Sequence, residues 1–386
     1  MPYPLEYDAS IQQSCYTFLR HTVERAGGDP VGRVRVAING FGRIGRVFFR
    51  QALEDPRLQI VAINATAPAE QVPHLIRYDT VYGRWDGEVS VEKDGLRVRK
   101  GTHSEWIRLF SDRNPAHLPW ESLGIDVVVE ATGAFRKAEQ AAIHLQQGAQ
   151  RVVITAPASG EDLTIVMGVN EEAFNPETDR ILSAASCTTN CLAPIIKVLH
   201  ERFGVTWGFL STVHALTNDQ RLVDSHHKDL RRARAAMQSI IPTTTGAARA
   251  VAKVIPDLAG RLDGQALRVP VQDVSVAEVV CQLQQSVSVD AINQAMREAS
   301  EKRLRGILDY CDEPLVSADF VGCPASATVD ALSTMVLPSG AVRLLAWYDN
   351  EWGYCRQVRD VTAYVGDANR ALQQNTISRF VFTSEP

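Results

Sequence analysis

The chain has 386 residues, 45% hydrophobic and 22% charged, with a formal net charge of -5 and a pI near 6.0. That is the composition of an ordinary globular protein of two packed domains, and its acidic balance argues against nucleic acid as a partner. No apolar run approaches the roughly 18 residues of a membrane span. The seven scattered cysteines argue for a reducing, cytoplasmic compartment over a disulfide framework.

Residues 1–33 read as an N-terminal extension. A short helix over Ser10–Arg25 is predicted, with Ile11, Cys15, Phe18 and Leu19 along one side. Gly27-Gly28-Asp29-Pro30 separates it from the first domain. The segment lacks a secretory apolar core, and its acids are wrong for an organellar leader. No function is assigned to it.

Arg33 to Ile38 alternates into a first strand that ends at Asn39. It runs into Gly40-Phe41-Gly42-Arg43-Ile44-Gly45, followed by a helix-compatible run from Arg46 to Leu53. Three glycines between a strand and a helix have separate tasks in dinucleotide binding. Gly40 permits the turn, Gly42 lets a pyrophosphate approach the backbone, and Gly45 lets helix and sheet close together. The helix N-terminus offers free N–H groups to the phosphates.

A second strand is predicted over Gln59–Ile63. An acidic side chain ordinarily comes after it and takes the adenosine ribose hydroxyls. Here the residues are Asn64-Ala65-Thr66, so no carboxylate repels a 2′-phosphate. That permits NADP and leaves NAD possible. Further strands over Ile125–Glu130 and Arg151–Ile154 end in small-residue turns at Ala131-Thr132-Gly133 and Thr155-Ala156. With a helix over Ala138–Gln147, the pattern is a Rossmann-type, doubly wound parallel sheet.

Ser186-Cys187-Thr188-Thr189-Asn190-Cys191 opens a helix running through Leu192–His200. A cysteine at a helix N-terminus is expected to have a lowered thiol pKa, and Cys191, one turn on, faces inward. His214 ends an apolar strand and is the candidate base for a thiolate–imidazolium pair. On pattern alone, both cysteines also read as small core residues, the commoner fate of a free cysteine. Thr243-Thr244-Thr245-Gly246 and Arg268 are candidate phosphate groups, although helix capping and a surface arginine fit the same residues. The basic stretch His227–Arg234 lacks aromatics and reads as a structural or anion-facing loop. No CxxC pair or His/Cys cluster suggests a metal.

From Val34 onward these segments resemble the glyceraldehyde-3-phosphate dehydrogenase family. The matches occur in order at Ile38–Arg46, Ala185–Cys191, Asp229–Ala236, Ile241–Ala248 and Trp347–Tyr354. The resemblance implies an NAD(P)-binding domain over 34–185 and an α+β catalytic domain over 186–353. A C-terminal segment over 354–386 would pack back on the first. It implies phosphorylating oxidation of glyceraldehyde 3-phosphate, with Cys187 as nucleophile and His214 as base. Inorganic phosphate would meet Ser186, Thr188, Thr245 and Gly246, and the substrate's own phosphate Thr217 and Arg268. The cofactor would meet Asn39, Gly40, Gly42, Arg43, Ile44, Gly45, Asn64, Ala65, Arg113, Thr132 and Thr155, with Asn350 orienting the nicotinamide. A homotetramer is implied as well.

Departures from the family pattern are Ala65 for an aspartate, Ala185 for an asparagine and His226 for a proline. Val271-Gln272-Asp273 and Val321–Ala325 also differ. The stretch Ala62–Pro68 resembles the NADP-preferring gluconeogenic bacterial branch, with His226 or a nearby arginine reaching a 2′-phosphate across a subunit boundary. Erythrose-4-phosphate dehydrogenase and a non-catalytic redox-sensing protein on the same fold are the alternatives. The intact Thr243–Gly246 motif stands against the first, and the full catalytic set against the second.

Overall fold

The strand Val34–Asn39 is buried over nearly its whole length, as its apolar run requires, because parallel strands flank it on both sides. It lies in a nine-stranded sheet, described by a computed structural model that covers residues 32–382. The predicted Ser10–Arg25 helix lies outside the described residues. In spatial order the strands are Leu163–Thr164, Ile181–Ser183, Arg151–Ile154, Val127–Glu130, Val34–Asn39, Leu58–Asn64, His103–Phe110, Gly95–Lys100 and Glu88–Glu92. The first seven run parallel, and the last two are added antiparallel. The parallel part matches the sequence reading. The antiparallel edge does not appear in that reading, although Asp94-Gly95 between the alternating Val89, Val91 and Leu96, Val98 is a hairpin signal.

Strand order reverses between Val34–Asn39 and Val127–Glu130, which opens a crevice at the strand ends. The glycine turn sits there. A Cβ on Gly40 (φ +95°) would lie 2.6 Å from the Thr132 nitrogen, and a Cβ on Gly45 would overlap the Gly40 carbonyl oxygen. Gly42 has nothing within 4 Å of its Cβ position. Two glycines therefore close backbone against backbone, and one keeps a space open. The helix Arg43–Ala52 begins at once and buries Val47, Phe48 and Phe49 against the sheet. Each such side chain contributes about 1.5–3 kcal/mol.

The second sheet has seven strands in the order Ile241–Thr244, Leu262–Arg268, Val205–His214, Ser275–Leu283, Ala341–Tyr348, Ala327–Val336 and Leu308–Cys311. Helices Cys187–Phe203, Ala247–Val254 and Val289–Glu301 cover one face. Leu192, Ile195 and Ile196 pack there with Leu210, Val279 and Leu344. The other face leaves Trp207, Phe209 and Val213 exposed at alternate positions. The closing helix, Trp352–Phe382, returns to the first sheet, where Tyr354, Cys355, Val358 and Val361 join the core around Phe48.

Gly45→Ala is expected to cost about 2–4 kcal/mol in denaturant unfolding, because neither overlapping backbone can yield. Gly42→Ala, whose new methyl enters open space, is expected to unfold close to the parent.

Candidate active site

Ser186 caps the helix Cys187–Phe203, its hydroxyl accepting the Thr189 N–H at 3.1 Å. That geometry exposes the first N–H groups of the helix and places Cys187 as its first residue. Gly204 (φ +71°) then turns the chain into the strand Val205–His214. The helix is about 25 Å long and the strand about 33 Å, so the chain folds back and the end of the strand meets the start of the helix. Cys187 Sγ lies 3.4 Å from His214 Nε2.

Sheet register brings in the next group. In the parallel pairing of Val205–His214 with Leu262–Arg268, His214 stands opposite Arg268. Arg268 Nη1 donates to the Ala215 carbonyl at 3.0 Å and lies 2.6 Å from His214 Nδ1. Nδ1 is also 2.7 Å from that carbonyl. Nδ1 thus sits between a donor, Arg268, and an acceptor, the Ala215 carbonyl. The tautomer with its proton toward the carbonyl leaves Nε2 as the acceptor facing the thiol, the form a base requires. Arg268 Nε is buried without a hydrogen-bond partner. A buried guanidinium N–H left open in this way fits an anion.

The electrostatics correct one expectation. Burial pushes the Cys187 thiol upward, against the pull of the Arg268 charge and the Thr188 hydroxyl and N–H. Burial, aided by the Arg268 charge, pushes His214 down to about 3, against its bond to Ala215. In this arrangement the pair is a thiol and a neutral imidazole, not the thiolate–imidazolium pair expected from the helix N-terminus. Burial disfavours the charged form of both groups. Cys187 stays half-buried, whereas Cys191 is fully buried as expected.

Two contributors lay hidden inside quoted motifs. The Tyr348 hydroxyl is 2.9 Å from both Thr188 Oγ1 and Thr212 Oγ1, which ties the helix start to the base strand. Arg232 bonds Thr243 at 2.9 Å and pairs with Asp219, and its charge also bears on His214. Their residue types carry no signal until sheet register places them. Thr245 and Gly246 lead into the helix Ala247–Val254, with Gly246 exposed as its N-cap. The Thr217 N–H bonds Gln220 Oε1 at 3.0 Å. Within the basic stretch Arg234 pairs with Asp224, and Arg232 lies near both Asp219 and Asp229.

In the cofactor crevice the structure separates backbone roles from side-chain roles. The Arg43 guanidinium is tied to Asp79 and Glu351, so its backbone N–H and that of Ile44 are what a pyrophosphate would meet. Asn39 donates to Glu130 at 2.6 Å and accepts from Asn64, whose amide is also held by the Asp112 backbone. Those two amides shape the crevice wall. Thr132 bonds Glu130, and the Thr155 hydroxyl donates to the Glu130 carbonyl. Ala65 is buried, and Arg113 is exposed. The Asn350 carbonyl accepts from Ser275 at 2.7 Å, and its amide N–H groups have no such commitment. The open position at Gly42, the uncapped helix start and the absence of a carboxylate at Ala65 fit a nicotinamide dinucleotide. Among the described residues no His/Cys/Asp/Glu group is placed to hold a metal, and no helix is long and apolar enough to cross a membrane.

A dinucleotide crevice beside a cysteine–histidine pair and buried arginine defines a class, the dehydrogenases that work through a covalent thiol adduct. Family profiles make the assignment specific. That for the glyceraldehyde 3-phosphate dehydrogenase NAD binding domain matches residues 34–138, and that for the C-terminal domain matches 186–350. Glyceraldehyde-3-phosphate dehydrogenase of Geobacillus stearothermophilus is 53% identical over 332 residues, covering 86% of this chain and 98% of that protein. Glyceraldehyde-3-phosphate dehydrogenase 2 of Bacillus subtilis is 52% identical over 86% of this chain and 97% of its own. A chloroplastic glyceraldehyde-3-phosphate dehydrogenase of Arabidopsis thaliana is 48% identical, over 87% and 84%. The chain belongs to the glyceraldehyde-3-phosphate dehydrogenase family.

Because the Cys187 thiol is raised, its alkylation by iodoacetamide is expected to keep accelerating through about pH 9, at about tenfold per pH unit below its pKa. Arg268→Leu removes the cation that favours the thiolate, and the rise is expected to move to higher pH. Mass spectrometry should find Cys187 labelled well before Cys191.

Proposed function

We propose that the chain catalyses phosphorylating oxidation of D-glyceraldehyde 3-phosphate to 1,3-bisphosphoglycerate, and the reverse reduction. The observation that carries this reading is the Cys187–His214 contact beside the open guanidinium edge of Arg268. Cys187 attacks the aldehyde carbon through sulfur, and its proton passes to His214 Nε2 and on to the aldehyde oxygen, which leaves a thiohemiacetal hydroxyl and a neutral imidazole. His214 next takes the hydroxyl proton of the thiohemiacetal as the carbonyl re-forms. The nicotinamide supplies the hydride acceptor when bound. The product is a thioester on Cys187. Inorganic phosphate, held by the N–H groups at Thr188 and Gly246 and by the Ser186 and Thr245 hydroxyls, attacks that thioester and expels the Cys187 sulfur. Arg268 and Thr217 hold the substrate's own phosphate, and Arg232 adds positive charge beside them.

NADP is the preferred cofactor in this reading, with NAD also accepted. Ala65 supports it by leaving no carboxylate against a 2′-phosphate. The exposed His226 and the free Arg113 are the candidate contacts. A homotetramer is supported by the apolar side chains Leu222, Val223, Leu230 and Ile240, each more than two-thirds exposed in one loop region. A cytoplasmic location is supported by the cysteine usage.

Initial rates with glyceraldehyde 3-phosphate and phosphate test the proposal. Turnover is expected to require phosphate and to show higher kcat/KM with NADP than with NAD. His214→Asn is expected to lower kcat about 10²–10⁴-fold, and Cys187→Ser to abolish it. Preference for erythrose 4-phosphate, or turnover that survives Cys187→Ser, would overturn the assignment.

A further inference from the structure

Tyr82 reaches from the first-sheet half to two carboxyl groups of the second. Its hydroxyl lies 3.0 Å from Asp273 Oδ2 and 2.9 Å from Asp349 Oδ1. A phenol has one hydrogen to donate. If both acids were ionised, one of these contacts would join two oxygens with no hydrogen between them. Burial raises both acids, and the backbone donors around Asp349 make it the partner that holds the negative charge. Its Oδ1 also accepts the N–H groups of Glu351 at 2.9 Å and Trp352 at 2.7 Å, and its Oδ2 accepts that of Gly322 at 2.8 Å. Asp273 faces the Val274 N–H alone against three backbone donors on Asp349, and its Oδ1 is buried without a hydrogen-bond partner. The missing hydrogen therefore belongs on Asp273 Oδ2, donated to Tyr82, whose own hydrogen goes to Asp349.

No neighbouring charge removes that requirement. Glu351 adds negative charge and is tied to Arg43, which also holds Asp79 and lies 5.7 Å from the Tyr82 ring centre. Arg46 faces Arg43, Asp79 and Glu351, and Cys355 faces Asp349 and Glu351 from the closing helix. The Arg43 charge is thus already shared between two carboxylates. Burial and the nearby Asp349 charge raise Asp273 to about 7.

The segment after Asp273 leads to the cofactor crevice. Val274 adopts a left-handed φ of +65°, rare for a β-branched residue. Ser275 then accepts the Ala215 N–H at 3.0 Å and donates to the Asn350 carbonyl at 2.7 Å. One side of this strained turn is fastened through Asp273 to Tyr82 and Asp349. The other is fastened to Asn350 and to the residue after His214.

We propose that Asp273 is a positioning residue whose carboxyl proton closes a latch through Tyr82 to Asp349 and so orients Asn350, making cofactor binding depend on that proton. The inference rests on the cofactor role proposed for Asn350. A carboxyl raised in the folded state and near 4 in the unfolded chain gives stability that is complete at low pH and lost as pH rises through about 7. Above that point two buried carboxylates repel, and the Asp273–Tyr82 contact has no hydrogen.

The test compares the full-length parent with Asp273→Asn, whose amide keeps a donor, and with Tyr82→Phe, which removes the bridge. Two quantities are followed against pH: cofactor KM from initial rates, and thermal unfolding midpoint without cofactor. For the parent, KM is expected to rise by up to about tenfold between about pH 6 and pH 8, tracking the loss of the protonated fraction. Asp273→Asn is expected to be flat, and Tyr82→Phe high throughout. If the parent midpoint falls with pH relative to Asp273→Asn while the KM curves run parallel, the proton is on Asp273 but its link to Asn350 is wrong. Parallel curves in both measurements overturn the latch itself. Loss of folding in Tyr82→Phe leaves the Asp273→Asn comparison decisive.

Discussion

The Tyr348 hydroxyl, wedged between Thr188 and Thr212, is the joint on which the catalytic geometry turns. It joins the second residue of the nucleophile helix to a residue two before the base. Burial raises the phenol, so it stays a neutral donor throughout the working pH range. The helix is anchored at this end by the joint and at the other by Gly204, and its inner face packs on the sheet. Sulfur and imidazole are then set by packed elements, and a loop contributes nothing to their separation. Such rigidity matters because proton transfer from thiol to imidazole depends steeply on distance.

Arg268 acts on the pair in two opposing ways. Its charge favours the thiolate and disfavours the imidazolium. With both groups desolvated, the neutral forms prevail. An anion on the open edge of the guanidinium offsets that positive charge and eases protonation of His214. Substrate phosphate would thus bring the base toward a useful range as it binds.

The parts legible in the sequence are those specified by near neighbours. Gly40, Gly42 and Gly45 announce the strand–turn–helix because each answers a local steric demand. Ser186-Cys187 announces a capped helix for the same reason. What sequence pattern missed depends on register between distant segments. Arg43 reads as a cofactor contact, and the tie of its guanidinium to Glu351, 308 residues away, has no local signal. His214 is legible as a strand end, but its position beside Arg268 is a property of the sheet. Helix position is visible in sequence and desolvation is not, so the burial that bears on Cys187 and His214 is a property of the fold alone. Asp273 registered only as a departure from the family pattern, and only Tyr82 and Asp349 give it chemical meaning.

The cofactor crevice and the catalytic cluster share one seam, and its charges explain why a basic residue in the glycine turn need not touch phosphate. Arg43 stands at a helix start whose N–H groups already favour an anion. Its guanidinium is free to bind Glu351 across the seam and Asp79 within its own half. Phosphate recognition then rests on backbone, and specificity between NAD and NADP falls to the ribose end. There Ala65 removes a repulsion of several kcal/mol at most and adds no attraction. A 2′-phosphate still loses hydration on binding, so positive charge must come from elsewhere. Arg232 and Arg234 are already paired with acids, so the exposed Arg113 and His226 are the groups proposed to meet that phosphate.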